Sequence, residues 1–385
     1  MTAPAAPVVA KGLEGIIIAD TRISKVDGQA GRLTYSGYDI ADLATNATYE
    51  EVVYLLWNGR LPNRTQLDDF KQQLFAQMAV SSDVMALIRQ LPASAHPMAI
   101  LRTIVSTLGL FDPYADDNTP EANQRKALSL TAKMPTLIAA AMRLRDGKEP
   151  LSPRADLSLA QNFLYMATGK EPDPTATQAI DRYMILLADH EMNASTFTAR
   201  AVTSTDSDMY SAVTAAVGSL KGPKHGGANE MAMRMFLEIE QSGLSVEDWF
   251  QQVRTGHRRI MGIGHRIYKT EDPRAVILRD YARTLAEKTG QARIYEIAYE
   301  LELIARADPY FKERNLYPNV DYYSAIVLYC AGIPVDMFTP LFAMSRIAGW
   351  CAHIIEQWTD NRLMRPKSQY VGEMGLPWTP IDQRA

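Results

Sequence analysis

The stretch VDMFTPLFAMSRIAGWCAHIIEQW, residues 335–358, decides the fold. As far as Ala352 it is apolar on nearly every side at helical spacing. A helix with no polar face has to be covered all round, so this segment predicts a central, buried helix with others packed about it. Asp336, Arg346 and His353 interrupt it, which makes it too polar to cross a membrane.

Working outward, the same helical grammar recurs. Thr48 and Glu51 form a capping box before EEVVYLLWNG, which Gly59 closes. Ser245 with Asp248 opens SVEDWFQQVRTG, closed by Gly256. Asp272 with Pro273 at the first helical position opens a helix that Gly290 ends. Ile180, Tyr183, Met184 and Leu187 fall on one helical stripe that leads to His190. Helices are also expected over residues 209–220, 229–241, 292–307 and 322–331. One segment reads otherwise: GIIIADTRISKVDGQAGRLTYSGYDI, residues 15–40, mixes β-branched residues with Asp-Gly and Ser-Gly turn signals and predicts a short hairpin region. The expected class is mainly α, with loops carrying the unusual residues.

With 385 residues, 47% of them hydrophobic, the chain can bury a large core as two domains or one domain with an insertion. Lys and Arg number 40 against 44 Asp and Glu, so the surface as a whole offers no attraction to nucleic acid or a membrane. Two cysteines, Cys330 and Cys351, exclude a disulfide framework and a multi-cysteine zinc site. Residues 1–12, MTAPAAPVVAKG, lack a basic and then apolar leader and read as a short loose tail. The expected setting is the cytoplasm.

Chemistry concentrates around three of the six histidines. His190 lies in DHEMNAS at a helix end, His225 in GPKHGGANE and His265 in GIGHR. Glycines beside an imidazole let backbone or ligand approach closely. His190 alone reads equally well as a core histidine. His257 at a basic helix end and His353 among Ile and Ala carry no signal. No two histidines stand three or four residues apart, so no metal site is expected.

Arg254, Arg258, Arg259, Arg266, Lys269, Arg274 and Arg279 crowd one segment that holds only Glu271 and Asp272 in opposition. A second basic cluster comprises Arg362, Arg365 and Lys367. Such runs are usually solvated helix faces. Arg274 directly after Asp-Pro and Arg346 on an apolar helix do not fit that reading, because a buried guanidinium needs a carboxylate or phosphate. Asp321 in YPNVDYY is delivered to a helix start by a Pro-Asn turn. On its own it reads first as an N-cap.

DHEMNAS, GPKHGGANE, MGIGHRIYK followed by DPR, YPNVDYYSA, MSRIAGWCAH and LMRPKSQYVG stand in the order in which the citrate synthase family carries them. EEVVYLLWNGRLP and the HPM at 96–98 extend the resemblance toward the N-terminus, and the length resembles the short bacterial and archaeal branch. Lys224 stands where many members have Leu. The resemblance implies an all-α homodimer with a large helical domain, residues 1–227 and 338–385, and a smaller inserted helical domain, residues 228–337, with the active site in the cleft. It implies condensation of acetyl-CoA with oxaloacetate, the coenzyme A thioester being a substrate and no separate cofactor being needed.

Residue by residue, the resemblance implies that His225 hydrogen-bonds the thioester carbonyl while Asp321 removes the methyl proton. His265 would polarise the ketone, with His190 beside it. Arg274 and Arg346 would hold carboxylates, and Arg365 would arrive from the second subunit. Ser195 would orient His225, and Asn193 would support the substrate pocket. Gly262, Ile263, Gly264, Arg266, Lys269, Lys312 and Arg314 are the candidates for coenzyme A. A carboxylate removes so weakly acidic a proton only where the enolate oxygen is stabilised. Near a helix N-terminus Asp321 is expected to be strongly ionised, and so to need desolvation by cleft closure. Two other readings share these residues: a 2-methylcitrate synthase using propionyl-CoA, and a non-catalytic helical scaffold that binds CoA or a tricarboxylate.

Overall fold

The computed structural model describes residues 9–384. Most of the tail expected at 1–12 lies outside the described residues. Among the described residues, seventeen α-helices follow one another from Ile40 to Thr359. The deciding segment begins as a single 3-10 turn, Val335–Met337, and continues as the helix Phe338–Thr359. Every residue from Phe338 to Ile354 is buried. The all-apolar pattern therefore does put this helix at the centre, packed by Tyr49–Asn58, Pro120–Arg145, Pro174–Leu187, Ala194–Thr203 and Met209–Leu220.

The caps act as the sequence says. Thr48 and Glu51 exchange the reciprocal bonds of a capping box, and Gly59 adopts φ 68° at the other end. Ser245 caps Val246–Thr255, and Asp272 caps Pro273–Lys288. The helix expected over 229–241 spans Ala228–Ser242. The one expected over 322–331 is Val320–Cys330, starting two residues early because Asn319 supplies the cap. The helices between Ala228 and Cys330 pack largely on one another. Pro174–Leu187 touches both them and the central helix, so its C-terminal end lies where the two groups meet.

The expected hairpin region is a three-stranded antiparallel sheet: β1 Ser24–Asp27, β2 Arg32–Tyr35 and β3 Tyr38–Asp39. Ser24 pairs with Tyr35 and Asp27 with Arg32. The Asp27 carboxylate closes the β1–β2 turn by accepting the amides of Gln29 and Ala30 at 3.1 and 2.9 Å. The apolar run at 16–18 does not extend β1. It has no partner strand among the described residues, and Ile16 and Ile17 are exposed.

Candidate active site

The stripe Ile180, Tyr183, Met184 and Leu187 is wholly buried, and its helix stops at Leu187. Terminal carbonyls of a helix lack intrahelical donors, and the central helix supplies them. Arg346 Nε donates to the Leu187 carbonyl at 2.7 Å, and the Gly349 amide to that of Ala188 at 3.1 Å. Gly349 has to be glycine, because a Cβ there would overlap the Ala188 oxygen and stand 3.0 Å from Asp189 Cβ. The chain then turns through Asp189 to His190, which is buried with Nε2 3.2 Å from the Tyr268 hydroxyl. Arg346 Nη1 is sealed and has no hydrogen-bond partner among the described residues. A buried guanidinium nitrogen left open carries a desolvation cost that a ligand carboxylate would relieve.

His265 stands 5.4 Å from His190, ring centre to ring centre. Its Nδ1 accepts the backbone amides of Ile267 and Tyr268 at 3.1 and 3.2 Å. An amide can only donate, so the ring proton sits on Nε2, which faces away as a donor. Further along the chain Asp272 caps Pro273–Lys288 and grips Arg274 bidentately, Nε to Oδ1 at 3.0 Å and Nη2 to Oδ2 at 2.8 Å. Both side chains are almost fully buried. Asp272 also accepts the Val320 amide at 3.1 Å, which ties this loop to the helix bearing Asp321.

His225 sits after a Gly-Pro turn, where Gly226 lets the backbone fold back on Leu220. The Ser195 amide donates to His225 Nε2 at 3.3 Å, and the Ser195 hydroxyl lies 2.8 Å from the same nitrogen. That hydroxyl also lies 2.8 Å from Asn193 Oδ1 and accepts Trp350 Nε1–H at 3.1 Å. Asn193 meanwhile caps Ala194–Thr203, so its side chain is occupied within the protein.

All three imidazoles are neutral at pH 7. Burial, then the charge of Arg274, holds His190 well below its ordinary value. Burial and Arg346 push His225 down to about 3. Burial and Arg274 push His265 down to about 4, against the opposing charge of Asp272. Arg274 keeps its charge despite burial because Asp272 stands against it.

The N-cap of Val320–Cys330 is Asn319, not Asp321. Asn319 Oδ1 accepts the Asp321 amide at 2.9 Å, while its Nδ2 donates to the Gly264 carbonyl at 2.8 Å. Asp321 is left free. Its side chain keeps a little open surface, yet Oδ1 is sealed and unpartnered among the described residues. Burial raises its pKa to about 7, against the lowering charges of Arg274 and Arg346. The strong ionisation expected at a helix start does not hold in this structure: desolvation by burial outweighs the helix end.

Other expected contacts are placed less centrally. Gly262 and Gly264 have φ of 77° and 95°, which only glycine adopts readily. A Cβ on Gly262 would come within 3.0 Å of Tyr322 Cα, so the close approach is to backbone. The Gly264 amide donates to the Tyr317 carbonyl at 2.8 Å in the bridge that joins Ile263 to Pro318. It is thus not available to a phosphate. Arg266 and Lys269 are exposed on the loop after His265, and Lys312 and Arg314 are exposed far along the chain at the end of Pro309–Glu313, Arg314 stacked 4.2 Å over Tyr310. Arg365 is exposed on the extended segment after Thr359 and joins none of these groups within the chain.

Sequence reasoning missed Asp189, Asp272 and His353. His353 is fully buried; Arg200 donates to its Nδ1 at 3.1 Å, so its Nε2–H donates to Asp189 Oδ2 at 3.2 Å. The signal was present, since His353 stands two helical turns below Arg346 on the same buried helix. No three of His, Cys, Asp or Glu cluster as metal ligands among the described residues.

Residues 12–367 match the family described as citrate synthase, C-terminal domain. The chain is 46% identical to citrate synthase 2 of Bacillus subtilis (strain 168) over 376 residues, 97% of this chain and 99% of that one. It is 42% identical to the citrate/2-methylcitrate synthase of the same organism over 365 residues, covering 94% and 96%. The citrate synthase of Thermoplasma acidophilum, solved as a ternary complex with carboxymethyl coenzyme A and oxaloacetate, superposes with a TM-score of 0.92 at 35% identity, covering 98% of this chain and all of that one. The chain belongs to the citrate synthase family, all-α acyltransferases of the class that converts the acyl group to alkyl on transfer.

Proposed function

We propose that this member of the citrate synthase family condenses acetyl-CoA with oxaloacetate and water, giving citrate and coenzyme A. The observation that carries this reading is a carboxylate, Asp321, raised to about 7 by burial within the field of Arg274 and Arg346, the same charges that act on two imidazoles held neutral as donors. A base near pH 7 and donors that need no deprotonation suit enolisation of a thioester. With Nε2 of His225 occupied by the Ser195 amide, its proton is on Nδ1, ready for the thioester oxygen as charge builds. Asp321 takes the methyl proton. The Nε2–H of His265 polarises the ketone, which makes it a better acceptor for the new carbon–carbon bond. Arg274 and Arg346, both pre-aimed by protein contacts, clamp the oxo acid's carboxylates and fix the angle of attack.

In this reading residues 228–337 form the smaller domain and the cleft lies between it and the rest. The chain works as a homodimer, with Arg365 reaching the partner's site. Its C-terminal segment supports that assembly: Leu363, Tyr370, Val371, Met374, Leu376 and Trp378 are all exposed on one chain, a large apolar surface that calls for a cover. Coenzyme A phosphates lie against Arg266, Lys269, Lys312 and Arg314, with the amides of Gly262 and Ile263. Both cysteines are buried and unpaired, in keeping with the cytoplasm. No described helix is long and apolar enough to cross a membrane.

Steady-state kinetics with acetyl-CoA and propionyl-CoA test the reading. A higher kcat/KM for acetyl-CoA is expected. A clear preference for propionyl-CoA would instead assign the 2-methylcitrate reaction, and thioester binding without turnover would leave a scaffold.

A further inference from the structure

The three-stranded sheet has no part in the chemistry just described, yet both of its ends press on the loops that hold it. At one end Ser24, on β1, donates to Asp189 Oδ2 at 2.5 Å and accepts the Glu191 amide at 2.9 Å. Opposite it on β2, the Tyr35 hydroxyl donates to the Asp189 carbonyl at 2.9 Å and accepts the Asp189 amide at 3.2 Å. These contacts bracket His190 on both sides.

At the other end, the β1–β2 turn rests on the loop after His265. The Lys269 amide donates to the Gly28 carbonyl at 2.9 Å. A Cβ on Gly28 would overlap the Ile267 carbonyl oxygen and stand 2.8 Å from its carbon. One on Gly31 would stand 2.7 Å from Thr270 Cγ2 and 3.0 Å from the Glu271 oxygen. The turn thus meets residues 267–271 backbone to backbone, and the amides of Ile267 and Tyr268 are the ones that fix the His265 tautomer.

We infer that this sheet is a spacer that sets the separation and aim of His190 and His265, with Gly28 and Ser24 as positioning residues at its two ends. It rests on the reading of those two histidines as the oxo-acid contacts. A short sheet suits this task, because paired strands hold their register more stiffly than a loop of equal length, and β1 pairs with β2 along its whole length. A side chain at position 28 has no flexible neighbour to push aside, so the turn must lift or the 267–271 loop must move.

The test compares Gly28→Ala, Ser24→Ala and Gln29→Ala, the last an exposed side chain in the same turn. The readouts are nitrogen-15 spectra of labelled histidines, assigned with His190→Gln and His265→Gln, and oxaloacetate affinity by calorimetry. Gly28→Ala should broaden or shift the Nε2–H signal of His265 and weaken oxaloacetate binding, with kcat/KM falling on the order of 100-fold, as a misplacement near 1 Å does. Ser24→Ala should disturb His190 instead, with about a 10-fold loss from one charge-assisted bond. Gln29→Ala should match wild type in every readout. A Gly28→Ala protein with the wild-type His265 signal, or with wild-type oxaloacetate affinity, overturns the inference. Should Gly28→Ala fail to fold, Ser24→Ala decides the matter through the His190 signal, and an unchanged signal there overturns the inference equally. If wild-type protein does not bind oxaloacetate, the proposed function falls, and the histidine spectra alone still decide the spacer.

Discussion

The backbone amide of Ser195 donates to Nε2 of His225 at 3.3 Å. Because a peptide N–H cannot accept, this one contact places the imidazole proton on Nδ1, and burial with the nearby Arg346 charge keeps the ring neutral. The main chain enforces the donor, with the Ser195 hydroxyl in support at 2.8 Å. His225→Ala should lower kcat by about 100- to 1000-fold, the usual cost of one lost oxyanion donor. Ser195→Ala retains the amide and should lose no more than about 10-fold. Steady-state rates of citrate formation decide it: equal damage from the two changes would mean that the hydroxyl, not the amide, sets the ring.

The acid limb of the rate profile should belong to Asp321. Its carboxyl titrates at about 7, whereas His225 and His265 are held near 3 and 4. From pH 7 down to pH 5 the histidines do not change state and only the base is lost, so kcat/KM should fall with a single apparent pKa near 7, approaching tenfold per unit below about pH 6. A limb centred at 5 or below would remove the elevated carboxylate from the mechanism.

The same shift has a consequence for stability, with its own sign. An unfolded aspartate ionises at about 3.9, whereas folded Asp321 holds its proton up to about 7. Between those values the folded state binds the extra proton, so stability falls as pH rises through the window, and the loss is complete above 7. Asp321→Asn escapes this loss. Thermal unfolding should therefore show the variant gaining on wild type at pH 8 and matching it near pH 4, while condensation is abolished. An equal difference at both pH values would contradict the burial of an ionisable group there.

Much of this site is legible in the sequence, because glycine, proline and cap residues act locally. Thr48, Ser245 and Asp272 start helices where the sequence places them, and the buried helix of Phe338–Thr359 follows from its lack of a polar face. What escapes depends on distant chain. Asp321 has the sequence setting of a cap, but Asn319 fills that role, and the raised pKa of Asp321 comes from burial among helices that no local pattern reports. His353 looks inert in sequence because its partners Asp189 and Arg200 are more than 150 residues away. The glycines of GIGH suggest a ligand, and no local pattern reports that Gly262 also packs on Tyr322 and Gly264 on Leu316.

Asp272 makes three attachments to two helices: it caps Pro273–Lys288, grips Arg274 in that helix's first turn and accepts the Val320 amide. Asp272→Asn preserves shape and cap but leaves the Arg274 charge buried without a counter-ion. Breaking one side of such a pair costs about 3 kcal/mol or more. Denaturant unfolding should register that loss, together with a raised KM for oxaloacetate as the guanidinium seeks another partner. Undiminished stability would show that solvent reaches Arg274 more freely than its burial allows.

Gly349 and Gly218 are both helical glycines, and the same substitution should have opposite effects on them. In an open helical position Gly→Ala stabilises by about 0.5–1 kcal/mol, since alanine loses less backbone freedom on folding. Gly218 meets that condition, its would-be Cβ touching only Arg102 Cδ at 3.7 Å. Gly349 does not, because its Cβ would overlap the carbonyl oxygen of Ala188 and crowd Asp189. Neither backbone can give without separating the central helix from the turn that carries His190, and the Arg346–Leu187 bond lies in the same seam. Gly349→Ala should therefore destabilise by about 1–3 kcal/mol and raise KM for oxaloacetate, while Gly218→Ala raises the unfolding midpoint and leaves KM alone. If both variants gained stability, the seam between the helix and the His190 turn would have slack that its backbone contacts deny.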